Sequence, residues 1–452
     1  MSLDNPIRRP DLSSPELMSR RAWWLVVLNF LLPGSAQVLA GNRRLGRFGL
    51  VCTLVMWALV VLGVLAALFW RSVLLSAFTT TVPLLILQLV LVFYVVLWIV
   101  LTLDTLRLVR LVRVRTGTRW AVAVLAVLAL VGVSATAGYA AAIVGSTRSF
   151  VSQVFTAGPS VAPVDGLYTF LLLGGDAGED RQGVRPDSLT VVTVNADTGK
   201  ATMIGLTREM EQFPFAEGSP LWTLYPNGYD AHTGCGVDAC KLAYLYTEID
   251  VYHPDMYPDA EAKGSSSAIE AMKDAAEGIT GIPIQFYVMV EMDAFAQLID
   301  ALGGVDVQVT DPVPLVGVDY TGDGSDIDYI QPGLRHMDGQ TALWYARSRY
   351  DSTDYDRMQR QRTLQEAVIS QFTPSTLLTH FQDIAAAGAQ VVKTDVPQTM
   401  LGYFAELALK TKNLPIEDIE LVPPTIDPEY PDINQIHQLV HDAVFPSSTP
   451  TP

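Results

Sequence analysis

The sequence predicts a helical membrane region followed by a layered α/β/α domain built on a central mixed sheet. Three observations carry this expectation. Apolar runs long enough to cross a bilayer are confined to the first third of the 452 residues, the sign of the charge reverses near residue 150, and beyond it short β-branched runs alternate with helical periodicity. Residues 1–150 hold 14 Arg, no Lys and 4 acidic residues, while the remainder holds 16 basic and 43 acidic residues, so the formal net charge of −17 describes neither part. An acidic outer part repels nucleic acid, whose recognition needs a basic face. The expected division is a cytoplasmic segment at 1–21, a membrane region at 22–144, a connector at 145–164, an extracytoplasmic domain at 165–445 and a disordered tail at 446–452.

Within the membrane region, apolar runs at about 48–69, 80–103 and 120–144 each exceed the roughly 20 residues that cross about 30 Å of hydrocarbon. A fourth run at 22–41 carries Asn29, Pro33, Gly34, Ser35 and Gln37, which are costly in hydrocarbon unless protein or water covers them. It reads as a re-entrant segment or a fourth span. Arg8, Arg9, Arg20 and Arg21 precede it, Arg43, Arg44 and Arg47 follow it, and Arg107, Arg110, Arg113, Arg115 and Arg119 lie between the last two runs. Excess Arg marks the cytoplasmic side. Three spans or four leave the domain outside, because one span follows the 107–119 loop. No small-residue cleavage site follows the first run, so the anchor is expected to be retained. The second and third runs lack ionisable residues, which argues against a transport pathway.

In the outer part, 168–173 (YTFLLL), 189–194 (LTVVTV) and 201–206 (ATMIGL) read as strands separated by turn residues. A helix is expected over 265–278, with serine caps and a terminal glycine. A strand follows at 286–291, a helix at 293–302 ending in Gly303-Gly304, and an alternating strand at 305–309. Helical spacing returns at 338–348 and 355–372. Cys52 lies in an apolar run as a small hydrophobe. Cys235 and Cys240, in CGVDAC, are close enough for a short disulfide loop in an oxidising compartment. Zinc is the alternative, with His232 near but two further ligands wanting.

Charge gathers at strand ends. The first strand runs into GGDAGEDRQGVRPDS, which places Asp176, Arg181, Arg185 and Asp187 in one glycine-containing loop, and Arg208 follows the third strand directly. Such loops are common ligand sites in α/β sheets. Arg347, Arg349, Arg357, Arg360 and Arg362 crowd into 16 residues, 347–362. Taken singly, each is an ordinary solvated charge. Arg357 and Arg360, three apart, share a helix face, whereas Arg347 and Arg349, two apart, serve one ligand only if the helix ends near Ser348. His232 and His336 have no neighbouring motif that recommends them. The run 319–330 (DYTGDGSDIDYI) has the Asp319, Asp323 and Gly324 spacing of a calcium loop, but Ile330 stands where the bidentate Glu belongs, and a polar turn is the simpler reading.

The runs DSLTVVTVNADTGKATMIGLTRE, GIPIQFYVMVEMDAFAQLIDALGGVDVQV and PGLRHMDGQTALWYARSRYDSTDYDRMQRQRTLQEAV resemble the LytR-CpsA-Psr family of Gram-positive and related envelopes, over about 167–372. The multi-span N-terminus looks like that of actinobacterial members. The resemblance implies a central sheet flanked by helices, a hydrophobic tunnel for a polyprenyl chain and a polar mouth for its pyrophosphate. The implied activity moves a glycopolymer from a polyprenyl (undecaprenyl or decaprenyl) pyrophosphate carrier to peptidoglycan, with Mg²⁺ as cofactor and Mn²⁺ as the alternative ion. The family's metal-site carboxylates carry over to Asp176 and Asp187. Its pyrophosphate-binding positions carry over to Arg185, Arg208, Arg347, Arg349 and Arg357, with Gln340, Arg360 and Gln361 beside them. Two carboxylates suit octahedral Mg²⁺, and guanidinium forks match phosphate oxygens in pairs. Asp176 and Arg208 are the catalytic candidates, Asp176 as an aid to the incoming hydroxyl. The chain departs from the common pattern in having Thr207-Arg208-Glu209 for Pro-Arg-Asp, Arg185-Pro186-Asp187 for Arg-Ser/Thr-Asp, and Gly-Gly-Asp-Ala for Gly-Ser-Asp-Ser. A pyrophosphatase using the same site, and a non-catalytic envelope lipid-binding or regulatory protein, are the alternative functions.

Overall fold

A computed structural model describes residues 8, 10, 13–70, 80–176, 185–230, 234–315, 327–348, 350, 352–371 and 392–445. The chain divides into two compact units, Met1–Arg148 and Ser149–Pro452. The polar turn at 319–330 and the tail at 446–452 fall wholly or largely outside the described residues.

In the first unit, α1 (Pro15–Leu31) starts at Ser14, whose side chain accepts from the Leu17 N–H, with proline in its first turn. The helix ends ahead of Pro33-Gly34 and is followed by the short α2 (Ser35–Ala40) and by α3 (Arg43–Phe69), capped by Asn42. Next come α4 (Thr81–Val109) and α5 (Thr116–Val154). Three helices among the described residues, Arg43–Phe69, Thr81–Arg113 and Thr116–Val154, are long and apolar enough to cross a membrane. The stretch 22–41 is split between α1 and α2, and the amide N–H groups of its polar side chains find protein partners. The Asn29 amide donates to the Thr102 hydroxyl at 3.1 Å, and the Gln37 amide donates to the Leu101 carbonyl at 2.7 Å and the Thr105 hydroxyl at 2.9 Å. That pairing is what hydrocarbon demands of buried polar groups. Gly34 (φ +94°) is forced: a Cβ there would lie 2.4 Å from the Leu50 nitrogen, so glycine lets the turn close on α3. α5 runs ten residues past the expected end of the membrane region, through Val154, because the next helix breakers after Gly145 are Gly158 and Pro159.

The second unit opens with β1 (Leu167–Asp176), β2 (Arg185–Asn195) and β3 (Ala201–Leu206), an antiparallel meander. α6 (Leu242–Tyr252) and α7 (Ser267–Thr280) follow, the latter capped by the Ser266 hydroxyl and closed by left-handed Gly281. β4 (Phe286–Glu291) pairs parallel with β1 and leads into α8 (Met292–Ala301). Two small ribbons come next, β5 (Val305–Val309) with β8 (Gly333–Met337), and β6 (Val313–Pro314) with β7 (Tyr329–Ile330). α9 (Gly339–Arg347), α10 (Asp354–Gln371), β9 (Val392–Thr394), α11 (Leu401–Thr411), β10 (Glu417–Leu421) and α12 (Ile433–Val444) complete the unit.

The sheet order β10-β3-β2-β1-β4-β9 is mixed, with β1–β4 and β3–β10 parallel. Alternation along each strand gives it two different faces. One face buries Leu171, Leu173, Val191, Ile204 and Leu206 against the apolar sides of α6, α7 and α12, represented by Leu245, Ala275 and Ile436. The other is graded. At one end Tyr168, Phe170 and Phe286 meet Phe404 of α11 edge to face. Toward the β10 edge Thr190, Asp418 and Glu420 meet Arg362 of α10. Gly205 makes room there, since a Cβ would fall 2.0 Å from the Glu420 carboxylate. Helices on both faces of a mixed sheet give the α/β/α layering expected from the sequence.

Candidate active site

The polar end of the sheet begins where β1 and β2 close their ladder. Asp176 stands opposite Arg185, but the register slips between them: Gly174 faces Ser188 and Gly175 faces Pro186, which leaves Asp187 as the extra residue of a β-bulge. Pro186 favours the slip, since it has no N–H to give the ladder. Arg185 and Asp187 therefore stand at the start of β2 and not in the loop, a departure from the sequence expectation. The intervening residues 177–184, Arg181 among them, and the Asp176 side chain fall outside the described residues.

Arg208 reaches this bulge two residues beyond the end of β3. Its Nη1 is in direct contact with Asp187 Oδ1, and its Nε lies 3.2 Å from Glu209 and 3.6 Å from Asp354. Arg357 comes from the first turn of α10 with only 2% of its side chain exposed. Its Nη2 lies 2.9 Å from Asp354 and donates to the Asp187 carbonyl at 3.2 Å, while its Nη1 lies 3.7 Å from the Asp187 carboxylate. Two arginines and two aspartates thus interleave with no net charge, the arrangement buried ions require. Burial alone would lower the Arg208 pKa, but Asp187 above all, then Asp354 and Glu209, hold it above the ordinary arginine value. Asp354, 21% exposed, Arg208, 19% exposed, and Asp187, 11% exposed, reach solvent, and Arg357 does not.

The second arginine group sits where α9 ends. Ser348 leaves the helix with ψ 129°, the break expected from the Arg347–Arg349 spacing. Arg347 is half-buried on the last turn, and Arg349 lies outside the described residues. Arg360 donates through Nε to the Tyr345 carbonyl at 3.0 Å and through Nη2 to the Ser348 carbonyl, and Gln361 donates to the Ala346 carbonyl at 3.2 Å. Both side chains therefore satisfy the orphan carbonyls of the α9 C-terminus and hold the turn that carries Arg347. Gln340 is exposed in the first turn of α9, seven residues and about 10 Å of helix before Arg347, and the structure does not bring it to the cluster around Asp187.

Arg185 is held by residues the sequence did not single out. Its guanidinium carbon lies 4.2 Å from the centre of the Tyr244 ring, Nη1 donates to the Tyr244 hydroxyl at 3.2 Å, and Nη2 is 3.5 Å from the Asp238 carboxylate. Asp238 lies between Cys235 and Cys240, which form a disulfide; this decides between the disulfide and zinc readings. Beside it Lys241 pairs with Glu209 at 2.6 Å, a contact that raises the lysine pKa. Asp354 could have been found from its i, i+3 spacing to Arg357, whereas no local signal marks Tyr244.

Among the described residues no group of three or more His, Cys, Asp or Glu side chains converges on one point. Asp187 presents a carboxylate at the strand end with each oxygen facing one arginine. Such a group can still serve Mg²⁺, which takes one or two carboxylates and completes its shell with phosphate oxygens and water.

The LytR_cpsA_psr family model matches residues 237–441. That stretch contains Gln340, Arg347, Arg349, Arg357, Arg360 and Gln361, while Asp176, Arg185, Asp187 and Arg208 precede it. The chain is 27% identical over 275 residues, 60% of each protein, to biofilm regulatory protein A of Streptococcus mutans. It is 26% identical over 235 residues, 52% of this chain and 62% of the relative, to the polyisoprenyl-teichoic acid–peptidoglycan teichoic acid transferase TagU of Bacillus cereus. The chain thus spans about three fifths of the length of these relatives. Among solved structures, a LytR-Csp2A-Psr enzyme from Actinomyces oris is similar at a TM-score of 0.41 and 21% identity, over 64% of this chain and 93% of that one.

Proposed function

Because residues 237–441 match the LytR_cpsA_psr family model, we propose that the chain transfers a glycopolymer from a polyprenyl-pyrophosphate carrier to peptidoglycan. The observation that carries this reading is the cluster at the sheet end, where Arg208, Asp187 and Arg357 interlock and Arg185 stands two residues away on β2. Guanidinium groups clustered at a strand end suit a doubly charged diphosphate head. The name of the Bacillus cereus relative, a teichoic acid transferase, supports the same chemistry.

In this reading an acceptor sugar hydroxyl attacks the polymer-proximal phosphorus. The new O–P bond forms as the bridging P–O bond breaks, the polymer becomes joined by a phosphodiester, and the lipid leaves as its monophosphate. Arg185 and Arg208 bind the diphosphate oxygens, with Arg347 and Arg349 as further guanidinium donors. Arg208 is oriented by Asp187, so its fork is already fixed when charge develops on the leaving phosphate. Arg357 holds Asp187 from behind. The hydroxyl proton passes to Asp176 or to water. Mg²⁺ held by Asp176 and Asp187 would neutralise phosphate charge. The three apolar helices anchor the domain to the membrane, with the outer part facing the envelope where lipid carrier and peptidoglycan meet.

The test is an assay of the full chain in detergent or nanodiscs with a polyprenyl-diphosphate-linked sugar, Mg²⁺ and a peptidoglycan-fragment acceptor. A phosphodiester-linked product is expected from the wild type and not from Arg208→Ala. Release of the sugar as its free phosphate, together with polyprenyl monophosphate and no adduct, would make the protein a pyrophosphatase. The name of the Streptococcus mutans relative favours one other reading, a non-catalytic envelope regulator, for which neither the transfer product nor release of polyprenyl monophosphate is expected. Proteinase K added to intact cells is expected to remove the second unit.

A further inference from the structure

We propose that Tyr244 is a positioning residue for Arg185, fixing its guanidinium plane for a diphosphate, and that the Cys235–Cys240 turn fixes Tyr244. The inference rests on the transfer reading above and names a member of the same site.

Arg185 is the first residue of β2, with 27% of its side chain exposed. Such a side chain loses rotamer freedom when it grips a ligand, and a partner that orders it beforehand removes that cost from binding. Tyr244 supplies two restraints at once. The ring face, 4.2 Å away, sets the plane of the guanidinium, and the hydroxyl, 3.2 Å from Nη1, sets its rotation within that plane. Among the described residues Nε has no hydrogen-bond partner. Nη2 faces only the Asp238 carboxylate at 3.5 Å, and the Asp238 side chain is 85% exposed. An ion pair that open to solvent is weak. A diphosphate, with more charge on paired oxygens, displaces Asp238 and leaves the Tyr244 contacts in place.

Tyr244 is itself tied to the rest of the site. The Leu242 N–H donates to the Met210 carbonyl at 2.9 Å and the Ala243 N–H to the Arg208 carbonyl at 3.1 Å. Cys240, two residues before α6, is bonded to Cys235. The next residue, Gly236, donates its N–H at 2.8 Å to the buried Glu248, which also accepts from Tyr229 at 2.5 Å. The start of α6 is thereby fixed to the backbone that carries Arg208. Tyr244 sets where Arg185 of β2 stands relative to Arg208, and so the spacing of the two forks.

The experiment measures inorganic pyrophosphate binding by calorimetry, with Mg²⁺, to the full chain in nanodiscs, alongside transfer kinetics. The variants are Tyr244→Ala, Tyr244→Phe, Arg185→Ala and the double Arg185→Ala/Tyr244→Ala. Tyr244→Ala is expected to weaken binding about tenfold and Tyr244→Phe, which keeps the stack, about threefold. The donor KM rises with them while kcat stays within about twofold, because the reacting atoms are untouched. The double variant is expected to bind no worse than Arg185→Ala alone. Tyr244→Ala binding as tightly as the wild type, or losses that multiply in the double variant as a general weakening of the fold would give, overturns the proposal while the transfer reading stands. Wild type without pyrophosphate affinity removes both. Tyr244-dependent binding without transfer to any acceptor removes the transfer reading and supports the positioning role.

Discussion

The backbone carbonyl of Asp187, released from the β1–β2 ladder by the bulge, accepts from Nη2 of Arg357 at 3.2 Å. One side chain thus satisfies the backbone group that the bulge frees while its charge faces the Asp187 and Asp354 carboxylates. A bulge that re-aims an acidic side chain at a sheet end needs such a partner.

Replacing Arg357 with Ala removes the more buried of the two cations that face Asp187 and Asp354 and leaves the Asp187 carbonyl without its donor. The expected loss is about 3 kcal/mol of stability, the order found when one member of a buried ion pair is removed. Urea unfolding of wild type and variant measures it. Arg357→Lys recovers only part, because one ammonium cannot reproduce the fork that spans Asp354 and Asp187. A variant as stable as the wild type would show that the cluster is solvated and that Arg357 is no scaffold.

Arg208 shares Asp187 with Arg357 but keeps access to solvent, so its removal should act on chemistry more than on folding. Arg208→Ala is expected to lower kcat at least about a hundredfold, the usual effect of deleting one preorganised donor. Arg208→Lys does not restore it, because the contact uses two edges of the guanidinium, Nη1 on Asp187 and Nε toward Glu209 and Asp354. Asp187→Asn, which keeps the shape and removes the charge, should fall to a similar rate with an intact fold. Steady-state kinetics beside thermal unfolding separate the two effects.

These residues were not equally legible in the sequence. β3 and β4 stand where short apolar runs place them, and β5 stands where alternation does, because a half-buried strand writes its period into the chain. The start of β2 did not read as strand, since proline and two charges break that pattern, and only pairing with β1 shows that a bulge admits them. β10 was missed for a related reason: Asp418 and Glu420 look like loop until Arg362, more than fifty residues earlier, neutralises them on the sheet face. α6 (LAYLYTEIDVY) is rich in residues that suit strand and helix alike. Arg208 was legible because it follows an apolar strand directly. The partners of Arg185 were not, because Tyr244 lies 59 residues away and only folding joins them.

The disulfide offers a separate test of how far that frame is stapled. Closing so short a loop removes roughly 2 kcal/mol of chain entropy from the unfolded state. Reduction, or the Cys235→Ser/Cys240→Ser pair, should lower stability by about that amount while the fold survives, since Glu248 still holds Gly236. Denaturation curves with and without a reductant are the measurement, and coincident curves would mean that the turn is fixed by its hydrogen bonds alone.

Lys273 links α7 to the residue that follows β9, 3.0 Å from Asp395 and 3.2 Å from Glu270, with 11% of its side chain exposed. Burial alone would lower its pKa, but Asp395 and then Glu270 outweigh that and hold it above the ordinary lysine value. A cation whose folded pKa exceeds its unfolded one contributes stability that is complete below the unfolded value and is lost as pH rises through the folded one. The window therefore opens near pH 10.5, the ordinary lysine value, and extends upward. Unfolding free energy should fall with pH across that window in the wild type and fall less steeply in Lys273→Met. At neutral pH the variant should be less stable by about 3 kcal/mol, because Asp395 and Glu270 lose their cation. Urea unfolding from pH 7 to 12 reads both effects. Parallel curves for the two proteins above pH 10 would show that Lys273 titrates as it does in the unfolded chain.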